Sequence, residues 1–464
     1  MKKLIYFFLF CFLPLYSQTY NPSWKSLDTR PVPSWFTNAK FGIFIHWGVY
    51  SVPAYRPLGT ERFASYAEWY QVDVMNKPGK GRDFHDRVYG KDFQYREFAP
   101  MFKAELFNPD DWAELFKKSG ARYVVLTSKH HDGYCLWPTK SPFSKDWNSM
   151  DTGPKRDLVE ELTKSVRSKG LKMGLYYSLL EWETPTPAKE TNPYLPSEII
   201  QKYRIPSSQY INGHIIPQLK ELVNTYQPAV IFSDGAWDET SAFWNSESFL
   251  AWLYNEAPNK DEVLVNDRWG KDAHGSHGDF SSSEYSAEDE TMTTSRPWEE
   301  SQGIGGSYGF NRAESIEDYK SSKQIIHLLI KKVSKGGNLL LNVGPSSDGL
   351  IPVIMQQRLM DIGRWLNVNG EAIYDTQPWY NHSHEIKNEN IFFTKNGDTV
   401  YAICTKWPDK SIVLPGLKKN AKVTLLGSDV KVKVRYSKDM LSISPPLVSP
   451  GNMPCEHAWV FKIN

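Results

Sequence analysis

The chain has 464 residues, enough for a large α/β domain and a smaller companion. Its 54 Lys and Arg balance 53 Asp and Glu without long basic or acidic blocks, which removes the compositional case for a nucleic-acid or membrane-surface role. The 17 Trp, 25 Tyr and 23 Phe fill a core and leave flat faces with polar tips, which suit the C–H faces of sugars.

The opening "MKKLIYFFLFCFLPLYSQ" has Lys2 and Lys3, an apolar stretch from Leu4 to Leu15, and a small residue at Ser17. This pattern predicts a secretory signal peptide over residues 1–17 and an exported protein, periplasmic or secreted. No later stretch reads as a membrane span. Of the remaining cysteines, Cys135, Cys404 and Cys455, none has metal-type spacing. Buried free thiols are expected, with a Cys404–Cys455 pair as the alternative.

Short apolar strands then alternate with amphipathic helices. "KFGIFIHWG" (40–48) reads as a strand, and "NPDDWAELFKKSG" (108–120) as a helix capped by Asn108, with acids in its first turn and Gly120 as its stop. Strands follow at 121–133, 171–182, 229–237, 262–270 and 337–345, with helices over 156–170 and 214–226 and a further one between residues 315 and 337. Continuous apolar strands alternating with helices imply a parallel sheet covered on both faces. Six strands are identifiable, and the length favours a (β/α)8-like barrel over 18–375, which leaves two strands to be found. Residues 50–100 and 181–205 read as long loops. From about residue 384 the strands alternate apolar and polar, with a hairpin around Asn396-Gly397, which predicts an antiparallel β-sandwich over 376–464.

In a parallel barrel the working residues sit at the C-terminal strand ends. Here those ends carry His46-Trp47, His130-His131-Asp132, Tyr176-Tyr177 with Glu181-Trp182, Asp234 with Trp237, and Asn266-Asp267-Arg268-Trp269. Five such ends converging on one mouth describe a polyol-binding hollow. A metal site is disfavoured because adjacent histidines on a strand point to opposite faces and no HExxH-type spacing exists, so no metal or cofactor is expected. There is no GxSxG elbow for a nucleophilic serine, and "GIGGSYG" (303–309) lacks the Gly-Lys-Ser/Thr ending of a phosphate loop. Carboxylates remain, and cleavage of a glycosidic bond needs two. Asp234 of "AVIFSDGAW" fits the nucleophile by position, with Gly235 leaving room and Trp237 walling the site; Glu284, Glu288, Glu290, Glu299 and Glu300 are all open as the acid.

The motifs "FGIFIHWG", "YAEWY", "LTSKHHDG", "GLYYS", "SDGAW", "VNDRWG", "SEY" and "WEESQGIGGSYGFN" occur in this order. Together they resemble the α-L-fucosidases of glycoside hydrolase family 29. The resemblance implies a barrel followed by a β-sandwich, and a retaining exo-α-L-fucosidase acting on fucosylated oligosaccharides or glycoconjugates. It implies Asp234 as nucleophile and Glu284 of "SSEY" as acid/base, with Glu299 in reserve, and sugar-binding positions at His46, Glu68, Trp69, His130, His131, Tyr177, Arg268 and Tyr308. Tyr308 replaces a frequent Phe, keeping the aromatic wall and adding a hydroxyl. The alternative is a non-catalytic fucose-binding homologue on the same scaffold, which need keep neither Asp234 nor Glu284.

Overall fold

A computed structural model describes residues 19–286, 296–379 and 388–464. The expected signal peptide and the candidates Glu288 and Glu290 lie outside the described residues.

Eight parallel strands form one curled sheet: β1 (Phe41–Ile45), β2 (Tyr123–Lys129), β3 (Lys172–Ser178), β4 (Val230–Asp234), β5 (Leu264–Val265), β6 (Ser281–Glu284), β7 (Trp298–Gly303) and β8 (Asn338–Val343). Their order is β5-β4-β3-β2-β1-β8-β7-β6. The two missing strands are therefore β6 and β7. "SSSE" and "WEESQG" carry no apolar run because their side chains bond inside the protein. Ser283 donates to Glu300, for example, and Ser282 Oγ donates to Asp267 Oδ1 at 2.6 Å. That second contact crosses the seam between the end strands β5 and β6. Ser282 N also donates to Asp267 Oδ1 (3.1 Å), and Asp279 N to Val265 O (3.0 Å).

The strand interior follows the period-2 rule. Phe44, Val125, Tyr176, Val230, Phe232, Leu264, Phe280 and Leu340 form one buried cluster, with Phe36 packed on Phe280 at 4.6 Å. Gly42 makes room for Tyr123 in this cluster, since a Cβ there would lie 2.4 Å from its ring. Outside the sheet run α1 (Pro109–Lys118), α2 (Leu158–Ser168), α3 (Ile216–Tyr226), α4 (Ser246–Asn255), α5 (Ser322–Ser334) and α6 (Val353–Asn369). Asn108 caps α1 by accepting from the amides of Asp110 and Asp111, as its position before Pro109 predicts. The expected loops 50–100 and 181–205 instead contain helices, among them Lys80–Val88 and Ser197–Tyr203, and a π-helical turn at Tyr70–Met75.

The C-terminal part has two antiparallel sheets. One is ordered β13-β16-β11-β10-β9 and the other β12-β15-β14. Their strands are β9 (Gln377–Pro378), β10 (Ile391–Asn396), β11 (Thr399–Cys404), β12 (Ile412–Pro415), β13 (Val423–Leu425), β14 (Lys433–Ser437), β15 (Met440–Ser444) and β16 (Trp459–Ile463). Phe393, Cys404, Leu414, Leu441, Ile443 and Phe461 fill the space they share. In the hairpin Asn396 pairs with Thr399, so the turn is Gly397-Asp398, one residue later than expected. This unit is fixed to the barrel helices: Trp365 of α6 donates Nε1–H to Ala458 O (2.9 Å), and Thr394 Oγ1 donates to Ala372 O (2.7 Å). The three described cysteines are free thiols.

Candidate active site

A cavity of about 1100 Å³ opens at the C-terminal ends of the strands. Asp234, the last residue of β4, shares the parity of Val230 and Phe232 and so points into it. Its Oδ2 accepts from the Tyr176 hydroxyl (2.8 Å) and its Oδ1 from Arg268 Nη1 (3.0 Å). Burial alone would raise the Asp234 carboxyl, but the Arg268 charge, with the Tyr176 hydrogen bond, holds it below the usual carboxylate range. Gly235 has φ +74, and a Cβ there would lie 2.6 Å from the Leu180 Cβ. The glycine expected to leave room for substrate thus serves the turn and the Leu180 contact.

Glu284 ends β6 and faces the same cavity. Its Oε1 accepts from the Tyr66 hydroxyl (2.8 Å) and its Oε2 from Arg268 Nη2 (3.0 Å). One guanidinium therefore holds both carboxylates. Arg268 is oriented by Nε–H donation to Ser282 Oγ (3.0 Å); burial opposes its charge, but Glu284, Asp234 and Asp267 keep it cationic.

Three histidines, His46, His130 and His131, line the same cavity beside Asp234 and Tyr176. His46 Nδ1 lies 2.7 Å from Asn342 Oδ1, whose amide nitrogen donates to Tyr308 O. The imidazole therefore carries its proton on Nδ1 and leaves Nε2 as an acceptor. His131 Nδ1 lies 2.6 Å from Ser178 Oγ, which itself donates to Leu180 O, so the same tautomer follows; its Nε2 is 3.6 Å from Asp234 Oδ2. Burial pushes His46 down to about 3 and His131 to about 4, and lowers His130 well below its ordinary value. All three are neutral at physiological pH. His130 Nδ1 is buried without a protein partner among the described residues. Glu68 Oε2 accepts from Gly309 N (2.9 Å) and Ser307 Oγ (3.2 Å), and burial pushes its carboxyl up to about 7. Trp69 stacks on Trp237 at 6.3 Å, and Tyr308 on His46 at 4.6 Å. The Tyr308 hydroxyl contacts Ser301 Oγ (2.7 Å) and donates to Ser301 O (3.1 Å), so the extra polar atom is tied to the protein.

Several expectations are corrected by this geometry. His130 and His131 both line the cavity, because β2 ends at Lys129 after a register irregularity and the strand rule no longer applies. Even so, no group of three His, Cys, Asp or Glu among the described residues is placed to hold a metal ion. Tyr177 is not at the site. Its hydroxyl accepts from Lys129 Nζ (3.0 Å) and donates to Gln218 Oε1 on α3 (2.8 Å), on the outer face of the sheet. Its neighbour Tyr176 takes the inner face. Alternation would have assigned this from Gly174, whose Cβ would lie 2.8 Å from that of Val230. Glu299 is far down the strand, paired with the first residue of β8 and accepting from the Tyr123 hydroxyl, and it does not line the cavity. Glu300 faces Ser283, Ser286 and Gln302. Tyr66, which arrives from an irregular segment to reach Glu284, left no strand-end signal.

The Tyr176 contact has a measurable consequence. A carboxylate with a depressed pKa is ionised above that pKa, and removing a donor raises it. Tyr176→Phe is expected to move the acidic limb of the kcat/KM profile to higher pH and to lower its plateau on the order of 10- to 100-fold. An unmoved limb in a pH–rate titration would mean that the Asp234 carboxyl does not set it.

The family model described as Alpha-L-fucosidase matches residues 10–371, and the one described as Alpha-L-fucosidase C-terminal domain matches residues 384–464. Tissue alpha-L-fucosidase of Homo sapiens is 42% identical over 452 residues, covering 96% of this chain and 91% of that protein. Alpha-L-fucosidase of Dictyostelium discoideum is 39% identical over 484 residues, covering 100% and 99%. The structure of Thermotoga maritima alpha-fucosidase in complex with a mechanism-based inhibitor superposes with a TM-score of 0.80 at 38% identity, covering 96% of this chain and 99% of that one. With both models matched in order and these relatives aligned almost end to end, the chain belongs to the α-L-fucosidase family of glycoside hydrolases.

Proposed function

We propose that the protein is a retaining exo-α-L-fucosidase working by double displacement, with Asp234 as nucleophile and Glu284 as acid/base. The observation that carries this reading is the pair of carboxylates at one cavity mouth, tied to a single guanidinium. In the first step Asp234 attacks the anomeric carbon while Glu284, starting as the protonated acid, gives its proton to the departing glycosidic oxygen, leaving a β-linked fucosyl ester and an ionised Glu284 beside Arg268. In the second, Glu284 takes a proton from water, which attacks the same carbon and returns Asp234 as the free carboxylate. Arg268 stabilises the carboxylate in the ground state and offsets charge as the ester forms and breaks.

The terminal sugar sits against His46, His130, His131, Glu68 and Trp69. Neutral imidazole acceptors and a carboxyl group suit its hydroxyls, and stacked rings suit its C–H face. The Thermotoga maritima relative is known in complex with a mechanism-based inhibitor, which supports catalysis on this scaffold. The substrate is a fucosylated oligosaccharide or glycoconjugate, and the leader-like residues 1–17 support export. No helix among the described residues is long and apolar enough to cross a membrane.

Proton NMR of freshly released fucose tests the reading. The α anomer should appear first and then mutarotate. Initial β-fucose would mean inversion, and no release at all would favour the non-catalytic fucose-binding alternative.

A further inference from the structure

The loop over residues 55–66 lines the cavity through Arg56, Glu61, Arg62, Phe63, Ala64 and Tyr66, on a fixed base. Asn311 accepts from Arg56 N (3.2 Å) and donates to Arg56 O (3.0 Å) and Ser65 O (3.1 Å). Arg56 Nη2 pairs with Asp73 Oδ2 at 2.7 Å. Nearer the tip, Ala64 N donates to Glu61 O (3.1 Å) and Gly59 N to Ser65 Oγ (3.2 Å). This held loop presents Phe63 with 43% of its surface exposed and φ +69. A bulky residue adopts that left-handed conformation only at a cost, and the site gains no burial from it. The Arg62 guanidinium lies 4.7 Å over the Phe63 ring. The ring is also 5.3 Å from that of Tyr66, which donates to Glu284.

We infer that Phe63 is the platform for the leaving group: the first sugar beyond the scissile bond, a pyranose, lays its C–H face on the exposed side of this ring. The inference rests on Glu284 as the acid. The acid protonates the glycosidic oxygen, so the aglycone departs on the Glu284 side, and Tyr66 and Phe63 form the wall there. The terminal sugar has its own buried seat among the histidines and does not need a ring at the rim.

The test compares Phe63→Ala, Phe63→Tyr and the parent enzyme on two substrates, α-L-fucosyl-(1→2)-galactose and α-L-fucosyl fluoride. Fluoride is a one-atom leaving group that fills no platform and needs little acid assistance. Phe63→Ala should lose about tenfold or more in kcat/KM on the disaccharide and stay within about twofold on the fluoride, with Phe63→Tyr restoring the disaccharide rate. Parallel losses on both substrates would make the ring a support for Tyr66, and unchanged kinetics on both would leave it no role; either overturns the platform. A parent enzyme inert toward fucosyl fluoride would instead refute the underlying fucosidase reading, and the platform with it.

Discussion

Replacing Asp234 by Asn is expected to leave a folded protein that turns over at least about a thousandfold more slowly while still binding fucose. The amide has the shape of the carboxylate, and its oxygen can still accept from Tyr176. Arg268 keeps Glu284 and Ser282 as partners, so no buried charge is stranded. What is lost is the atom that attacks the anomeric carbon. Because the three cavity histidines and Glu68 are untouched, fucose should still protect the variant against thermal unfolding. A variant purified free of parent enzyme that kept most of its kcat would remove Asp234 from the nucleophile role.

Glu284→Ala has a different signature. Losing the acid should cost natural glycosides, whose leaving groups need a proton, on the order of 10²- to 10⁴-fold, and aryl fucosides with good leaving groups much less in the first step. Small anions such as azide should restore part of the rate, since they attack the fucosyl-enzyme without a base. Glu299→Ala is the internal comparison. Burial pushes the Glu299 carboxyl up to about 8, and it sits against Tyr123 at the base of the sheet. Its loss should reduce stability and depress all substrates in parallel. If the Glu299 variant alone showed leaving-group dependence and azide rescue, the acid/base assignment to Glu284 would be wrong.

Much of this was legible because burial leaves a simple trace. Strands β1 to β4 and β8 are buried throughout apart from Lys172, so they appear as apolar runs. A polar residue at the end of such a run is conspicuous, which is why His46, Asp234 and Arg268 could be named from sequence. Strands β6 and β7 left no such trace. β7 is buried and β6 half-buried, and both are held by hydrogen bonds among Ser282, Ser283, Asp267 and Glu300, so their composition looks like that of a loop. The choice of Tyr177 over Tyr176 failed on parity, which one residue reverses. The histidine pair escaped the strand rule because the strand had already ended. Glu68 and Trp69 came from the resemblance alone, since a short 3-10 turn has no periodicity to read. Tyr66 and the Asp267 seam depend on contacts between segments 15 to 218 residues apart, which no local pattern encodes.

The assignment of both carboxylates is tested most directly by one measurement, the anomeric configuration of the fucosyl azide made from an α-fucosyl substrate by each variant. With Asp234→Gly, azide can only take the vacated place of the nucleophile and attack the substrate itself, so the product should be β-fucosyl azide. With Glu284→Ala, Asp234 still forms the β-linked ester and azide displaces it, so the product should be α-fucosyl azide. Proton NMR of the two products settles the roles. Opposite configurations in this order are what the account predicts; the reverse order, or the same anomer from both variants, would contradict it.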